Sequence, residues 1–329
     1  MNNLVTPLRV RPLVALSLDS PIALEVDSAA SAAAVSRPRT VLQMLVRNPS
    51  VCFGGVVLVM MLLTALLAPF LGTIDPSNID PIYRNKVPGT ERMLRLDDGS
   101  EVPITHWMGT DMLGRDVYSR VIYGSQISLV VGLAVAILSI AVGLTIGLVS
   151  GYIRWLDGIV MRIMDGLMAI PGILLAIALM SLFNAGLGTV IFAIFIPEIP
   201  RVVRLVRSIV LSIREEPYVE AAISVGTSVP LILIRHVLPN TIAPLIVQGT
   251  YICASAILVE AILSFLGVGI PPEIPTWGNI MAEGRMLFRV FPHNLLYPGI
   301  FLAFTILAVN VLGDGLRDTL DPRMAKRLG

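Results

Sequence analysis

Long apolar windows separated by shorter polar stretches are the dominant pattern along this chain. They fall at about 51–71, 127–152, 163–183, 190–206, 241–265 and 295–312. An α-helix needs about 20 residues to cross roughly 30 Å of hydrocarbon, so the windows predict about six spans and an all-α integral membrane protein. Arg37, Arg39 and Arg47 precede the first window and place the N-terminus in the cytoplasm by the positive-inside bias. Residues 1–46 carry no apolar core with a cleavage-type site, and they read as a mobile cytoplasmic tail rather than a secretory signal.

The polar stretches define the remaining organisation. Residues 72–123 contain several prolines and a turn at Leu96-Asp97-Asp98-Gly99-Ser100, which suits an external excursion too long to be a simple loop. Residues 124–312 then form a core of five spans, and 313–329 a cytoplasmic C-terminal tail with Arg317, Arg323, Lys326 and Arg327. In the second window Gly143, Gly147 and Gly151 lie on one helix face and allow another helix to approach closely, although glycine is also common in membrane helices generally. Arg154 and Arg162 follow on the cytoplasmic side. The third window begins near Asp165 and contains Pro171-Gly172. The fourth ends in Pro197-Glu198-Ile199-Pro200-Arg201, followed by Arg204 and Arg207. An acid there is costly unless paired, and Arg201 lies one turn away, so an interfacial ion pair is preferred to a substrate or proton group. Glu260, inside the fifth window, should face protein or a watery cavity and is a candidate lining group, with structural pairing as the alternative.

Composition strengthens the membrane reading: hydrophobic residues make up 55% of the chain and charged ones only 14%, with a mean hydropathy of +0.81. A net charge of +1 gives no argument for nucleic acid. Cys52 and Cys253 stand alone in separate apolar windows, which supports neither a disulfide nor a thiolate metal site. His106, His236 and His293 are far apart, and the sequence contains no HExxH pattern and no glycine-rich Lys-Ser/Thr loop for ATP phosphates. No cofactor or metal is expected on this chain and no catalytic site of its own.

Residues 212–239 form a polar, amphipathic insert between the fourth and fifth windows. Acids at Glu215 and Glu216 followed by Pro217 make a helix start. A helix over 218–225 places Tyr218, Ala221, Ala222 and Val225 on one shallow face. Gly226 is expected to end it in a left-handed conformation, and a second helix over 230–237 leads into the fifth span. Such a helix-turn-helix can dock into a groove on a soluble protein.

The insert reads Glu220-Ala221-Ala222, three residues, Gly226, nine residues, then His236-Val237-Leu238-Pro239. It resembles the EAA motif of ATP-binding-cassette importer permeases, and the ending Arg235-His236-Val237-Leu238-Pro239-Asn240 resembles the dipeptide, oligopeptide and nickel subfamily. Further stretches resemble the C-type subunit of that subfamily. They are Gly109-Thr110-Asp111, Leu113-Gly114-Arg115-Asp116-Val117, Ser119-Arg120 and Tyr123-Gly124, then Phe265-Leu266-Gly267-Val268-Gly269, Trp277-Gly278 and Glu283-Gly284-Arg285, and finally Leu312-Gly313-Asp314-Gly315 through Arg323. Gln126, where many relatives have Arg, and Glu198, where an apolar residue is common, depart from the pattern.

The resemblance implies a type I, MetI-like permease fold with cytoplasmic coupling helices in a bacterial inner membrane. It makes Glu220, Ala221, Ala222, Gly226, His236, Leu238 and Pro239 the ATPase-coupling residues. It makes 266–294 an external gate segment, with Asp165, Pro171, Glu260, Trp277, Glu283 and Arg285 as candidate pathway or gate residues. The implied partners are a B-type permease subunit, two cytoplasmic ATPases that hold ATP and Mg, an external binding protein and a peptide substrate, with nickel or glutathione as alternative cargo. The competing class is an ion-coupled secondary transporter using Glu198, Asp165 and Glu260, which has no use for a docking insert.

Overall fold

The computed structural model describes residues 41–95 and 101–320. The turn at 96–100, most of the N-terminal tail and the last nine residues therefore lie outside the described residues. In chain order the helices are α1 (Val41–Arg47), α2 (Pro49–Leu66), α3 (Val117–Tyr152), α4 (Arg154–Ala169), α5 (Gly172–Met180), α6 (Leu187–Arg214), α7 (Pro217–Ser224), α8 (Val229–Phe265), α9 (Trp277–Gly284) and α10 (His293–Leu320). An antiparallel hairpin, β1 (Thr90–Arg95) and β2 (Glu101–His106), interrupts the helices with Thr90 opposite His106. The hairpin departs from an all-α expectation. It lies wholly in the polar excursion, where no lipid demands that backbone bonds close within one helix.

Among the described residues four helices, α2, α3, α8 and α10, are long and apolar enough to cross a membrane, and α4 with α5 makes a fifth span if the bent pair counts as one. This falls short of the six predicted. α6 has the length, 28 residues, but carries Glu198, Arg201, Arg204, Arg207 and Arg214. The third predicted span is not straight: α4 and α5 meet at 87°, because Pro171 stands between them and has no amide to continue the ladder. The fourth does not end at Pro197-Glu198-Ile199-Pro200; α6 runs through both prolines to Arg214. Pro197 packs toward Gly172 of α5, where a glycine Cβ would lie 3.4 Å from the proline Cβ.

Helix approach is set by glycine. A Cβ at Gly143, Gly147 or Gly151 of α3 would lie 2.5, 2.7 and 2.9 Å from the Cβ of Val202, Val206 and Val210 of α6. The three glycines thus meet three valines four residues apart, and the helices interlock as a seam. Around it Val131, Val135, Val190, Ala193, Ile252 and Ala256 are buried to form the main core. The start of α2 and the end of α10 close on each other: Asn48 caps α2 through Ser50 N (2.9 Å) and donates to Gly315 O and Thr319 Oγ1 of α10, both at 3.2 Å. The start of α2 and the end of α10 therefore lie on the same side.

The excursion is a built platform rather than a loop. Arg92 of β1 pairs with Asp80 at 2.8 Å and covers the Tyr83 ring at 5.3 Å. Asp116 caps α3, accepting from Ser119 N (2.7 Å), and meets His106 Nδ1 at 2.7 Å. Gly114 has φ +80°, and a Cβ there would fall 1.8 Å from Asp80 O, so this turn accepts glycine alone.

Replacing Gly147 with Leu is expected to lower the thermal stability of the detergent-solubilised protein by about 1–3 kcal/mol, the range for overpacking a closed contact. Gly158→Ala, at a site with nothing within 4 Å of the added methyl, should leave the melting curve unchanged or raise it.

Candidate functional site

The insert after α6 has the geometry needed for docking. Pro217 occupies the first turn of α7 and Glu220 lies beside the helix N-terminus, where its charge suits the dipole. Val219 is fully buried and anchors α7 to the body, while Tyr218, Ile223 and Val225 are exposed, Val225 at 83%. Glu220 and Ala221 are exposed and Ala222 half-buried. Gly226 closes α7 with φ +81°: its amide donates to Ile223 O (2.9 Å) and the Thr227 amide to Ala222 O (3.0 Å). This is a Schellman cap, with the glycine in the left-handed region that its position demands.

The second half of the insert differs from the expectation of a separate helix over 230–237. Val229–Phe265 is one helix, and Leu233–Val237 forms a π turn within it. Pro239 explains the turn. A proline cannot donate to the carbonyl four residues back, and widening the preceding turn moves that carbonyl away from its ring. The Leu238 amide donates to Leu233 O across the widened turn. His236, which stands where the general motif has Ile, is half-buried and lies 6.0 Å from the Tyr218 ring, so it joins the two halves of the insert. Asn240 Nδ2 donates to His236 O at 2.7 Å and holds the junction. Leu238 is half-buried and Pro239 exposed.

Toward the insert, three arginines of α6 each meet an acid. Arg201 pairs with Glu198 at 3.1 Å, Arg204 with Asp165 at 2.6 Å, and Arg207 with Asp157 through two contacts, the Nη2 one at 2.7 Å. The last two pairs cross to α4 and fasten it along α6. Glu198 has the partner foreseen for it and is buried among the helices; its Oε1 also lies 3.4 Å from Ser255 Oγ of α8. Asp165 is an exposed member of the ladder, and Pro171 sits at the α4/α5 bend.

The remaining candidates gather at the opposite end. Trp277, a gate candidate, is fully buried; its Nε1 donates to Val121 O at 3.1 Å, and Phe301 lies 6.5 Å away. Glu260 is also fully enclosed: Ser264 Oγ donates to Oε1 at 2.8 Å and Ser128 Oγ lies 3.5 Å from Oε2. The carboxyl thus joins α3 to α8 and presents no open surface within this chain. Arg285 donates to Phe265 O at 2.7 Å and stacks over the Phe265 ring at 5.1 Å. Glu283 meets Arg115 and Arg120, residues to which sequence reasoning gave no role. Their signal was the alternation of Asp111, Arg115, Asp116 and Arg120 immediately before an apolar span. Gln126 donates to Ala65 O at 2.6 Å, holding α3 against the end of α2.

Residues 139–326 match the family of inner membrane components of binding-protein-dependent transport systems, and residues 36–88 match the N-terminal transmembrane domain of oligopeptide transport permease C. A probable peptide ABC transporter permease protein, y4tQ of Sinorhizobium fredii, is 50% identical over 300 residues, 91% of this chain and 98% of the relative. The dipeptide transport system permease protein DppC of Alkalihalophilus pseudofirmus is 37% identical over 292 residues, 88% and 91% of the two chains. The glutathione transport system permease protein GsiD of Pectobacterium atrosepticum is 41% identical over 231 residues, 70% and 76% of the two chains.

Glu260 gives a test of the enclosed hub. Glu260→Gln keeps an acceptor for Ser264 and is expected to preserve stability. Glu260→Ala leaves a cavity and two unpaired hydroxyls and should cost about 2–5 kcal/mol in thermal unfolding.

Proposed function

The chain belongs to the family of inner membrane components of binding-protein-dependent transport systems, and from that premise we propose that it is one permease of an ATP-driven peptide importer. The observation that carries the reading is the exposed insert on α7 and the start of α8. Its apolar and small side chains face solvent, yet Val219, Ile232 and Val237 anchor it firmly to the body. A rigid surface of that kind suits a cleft on a partner. Glu220, Ala221, Ala222, Gly226, His236, Leu238 and Pro239 are assigned to that contact, His236 through its packing on Tyr218.

In this reading the partner ATPases hold ATP and Mg and close on ATP. Their closure favours one orientation of the spans over another through differential affinity for the two states. A second, B-type permease supplies the other half of the pathway, and an external binding protein delivers the cargo. The termini and the insert face the cytoplasm, in keeping with Arg154, Arg162, Arg204, Arg207 and Arg317 on that side. Peptide cargo is supported by the names of the relatives. Glutathione falls within the same chemistry as a short peptide, and the glutathione permease relatives favour it as the second reading.

The test is reconstitution of the chain with its permease, ATPase and binding-protein partners in vesicles. Uptake of a labelled dipeptide should require ATP, and uptake driven by a proton gradient without ATP would overturn the proposal. Gly226→Val forces a β-branched residue into positive φ and is expected to lower ATP-driven uptake at least tenfold while the permease pair still assembles, as measured by size-exclusion chromatography.

A further inference from the structure

At the outer end of the molecule two arginines and two acids are packed into the seam between the platform and the segment after α8. Asp111 binds its own loop tightly: Oδ1 accepts from Leu113 N (2.8 Å) and Arg115 N (2.9 Å), and Oδ2 from Arg115 Nε (2.7 Å). Arg115 then reaches across the seam to Glu283 and, at 3.5 Å, to Pro272 O. Arg120 is different. Its side chain is 1% exposed, and each of its polar contacts is long: Nη2 to Pro272 O at 3.3 Å, Nη2 to Glu283 Oε1 at 3.5 Å, and Nη1 to Asp111 Oδ2 at 3.5 Å. Among the described residues its Nε and Nη1 have no hydrogen-bond partner. Charge-assisted bonds ordinarily close to about 2.7–2.9 Å, so Arg120 is enclosed between two acids without being fully held by either.

We propose that Arg120 is a two-position latch of the outer gate: it holds the segment 271–284 shut through Glu283 and Pro272, and takes Asp111 as its partner when that segment lifts. The inference rests on reading the segment as a gate. The pattern of bonding carries it. Arg115 stays with Asp111 on its own side of the seam, so separation breaks only the bonds to Glu283 and Pro272. Arg120 needs a replacement for these, because a buried guanidinium left alone is costly. Asp111 Oδ2 already lies within reach and on the stationary side. The seam is thereby bistable rather than simply sticky, which a gate that must both close and reopen requires.

Val121 provides the reporter, since it is fully buried and its carbonyl accepts from Trp277, which lies within the moving segment. In a background with Cys52 and Cys253 replaced by alanine, Val121→Cys in the complete reconstituted transporter is labelled from outside with a membrane-impermeant maleimide, with and without ATP. ATP should accelerate labelling; if it does not, the gate reading fails and the latch with it. Given ATP-dependent labelling, Glu283→Gln is expected to speed labelling about tenfold in the absence of ATP, the factor that roughly 1.4 kcal/mol supplies. Asp111→Asn keeps the Oδ1 acceptor for the loop amides but removes the charge, and it should slow labelling with ATP below that of the parent. Opposite shifts in two variants that both assemble support the latch. Shifts in the same direction, or none, overturn it while leaving the gate reading intact.

Discussion

The close approach of α3 and α6 is the constraint on which the rest of the structure depends. In a bilayer, helices gain nothing by hiding apolar surface from lipid, so association needs tight van der Waals contact. Gly143, Gly147 and Gly151 against Val202, Val206 and Val210 supply it over two full turns. That seam fixes α6 even though prolines interrupt its hydrogen-bond ladder. It also places the α6 arginines beside α4, which lets Asp157 and Asp165 fasten a helix that Pro171 has bent away from its continuation.

Charge is distributed in two groups, one at each end of the seam, and both are neutralised locally. Near the insert Arg201, Arg204 and Arg207 of α6 are paired one by one, partly exposed, in an arrangement that adds modest energy but sets the rotation of α4. At the opposite end Asp111, Arg115, Arg120 and Glu283 are enclosed, and there removal of one member leaves another buried without compensation. Glu260 is the exception in having only hydroxyl partners among the hydrogen bonds described. Between these groups the interior is aliphatic, with Val, Ile and Ala filling the space the glycines open.

Much of this was legible wherever the cause is local. Apolar windows located α2, α3, α8 and α10, the four-residue glycine repeat located the tight face, and Gly226 announced its own positive φ because helix ends commonly require it. Glu198 and Arg201 are three residues apart, so their pairing followed from helix geometry alone. What escaped was set by distance or by tertiary override. The bend at Pro171 and the passage of α6 through Pro197 and Pro200 involve the same residue type with opposite outcomes, decided by packing against neighbouring helices. Trp277 is buried rather than set along a pathway because Val121, 156 positions earlier, supplies the partner its indole N–H needs. Arg115 and Glu283, 168 residues apart, are joined only by the fold.

The continuity of α8 has a mechanical consequence. At 1.5 Å per residue its 37 residues make a rod of about 56 Å. A rigid rod of that length converts each degree of tilt about one end into about 1 Å of travel at the other. Leu266, the residue after its last turn, begins the segment that leads to α9, so a few degrees of tilt of α8 as a whole amount to a side chain's width there. Compliance is confined to the π turn at Leu233–Val237 and to Pro244, both in the first half of the helix. The lever is soft near its handle and stiff along the arm.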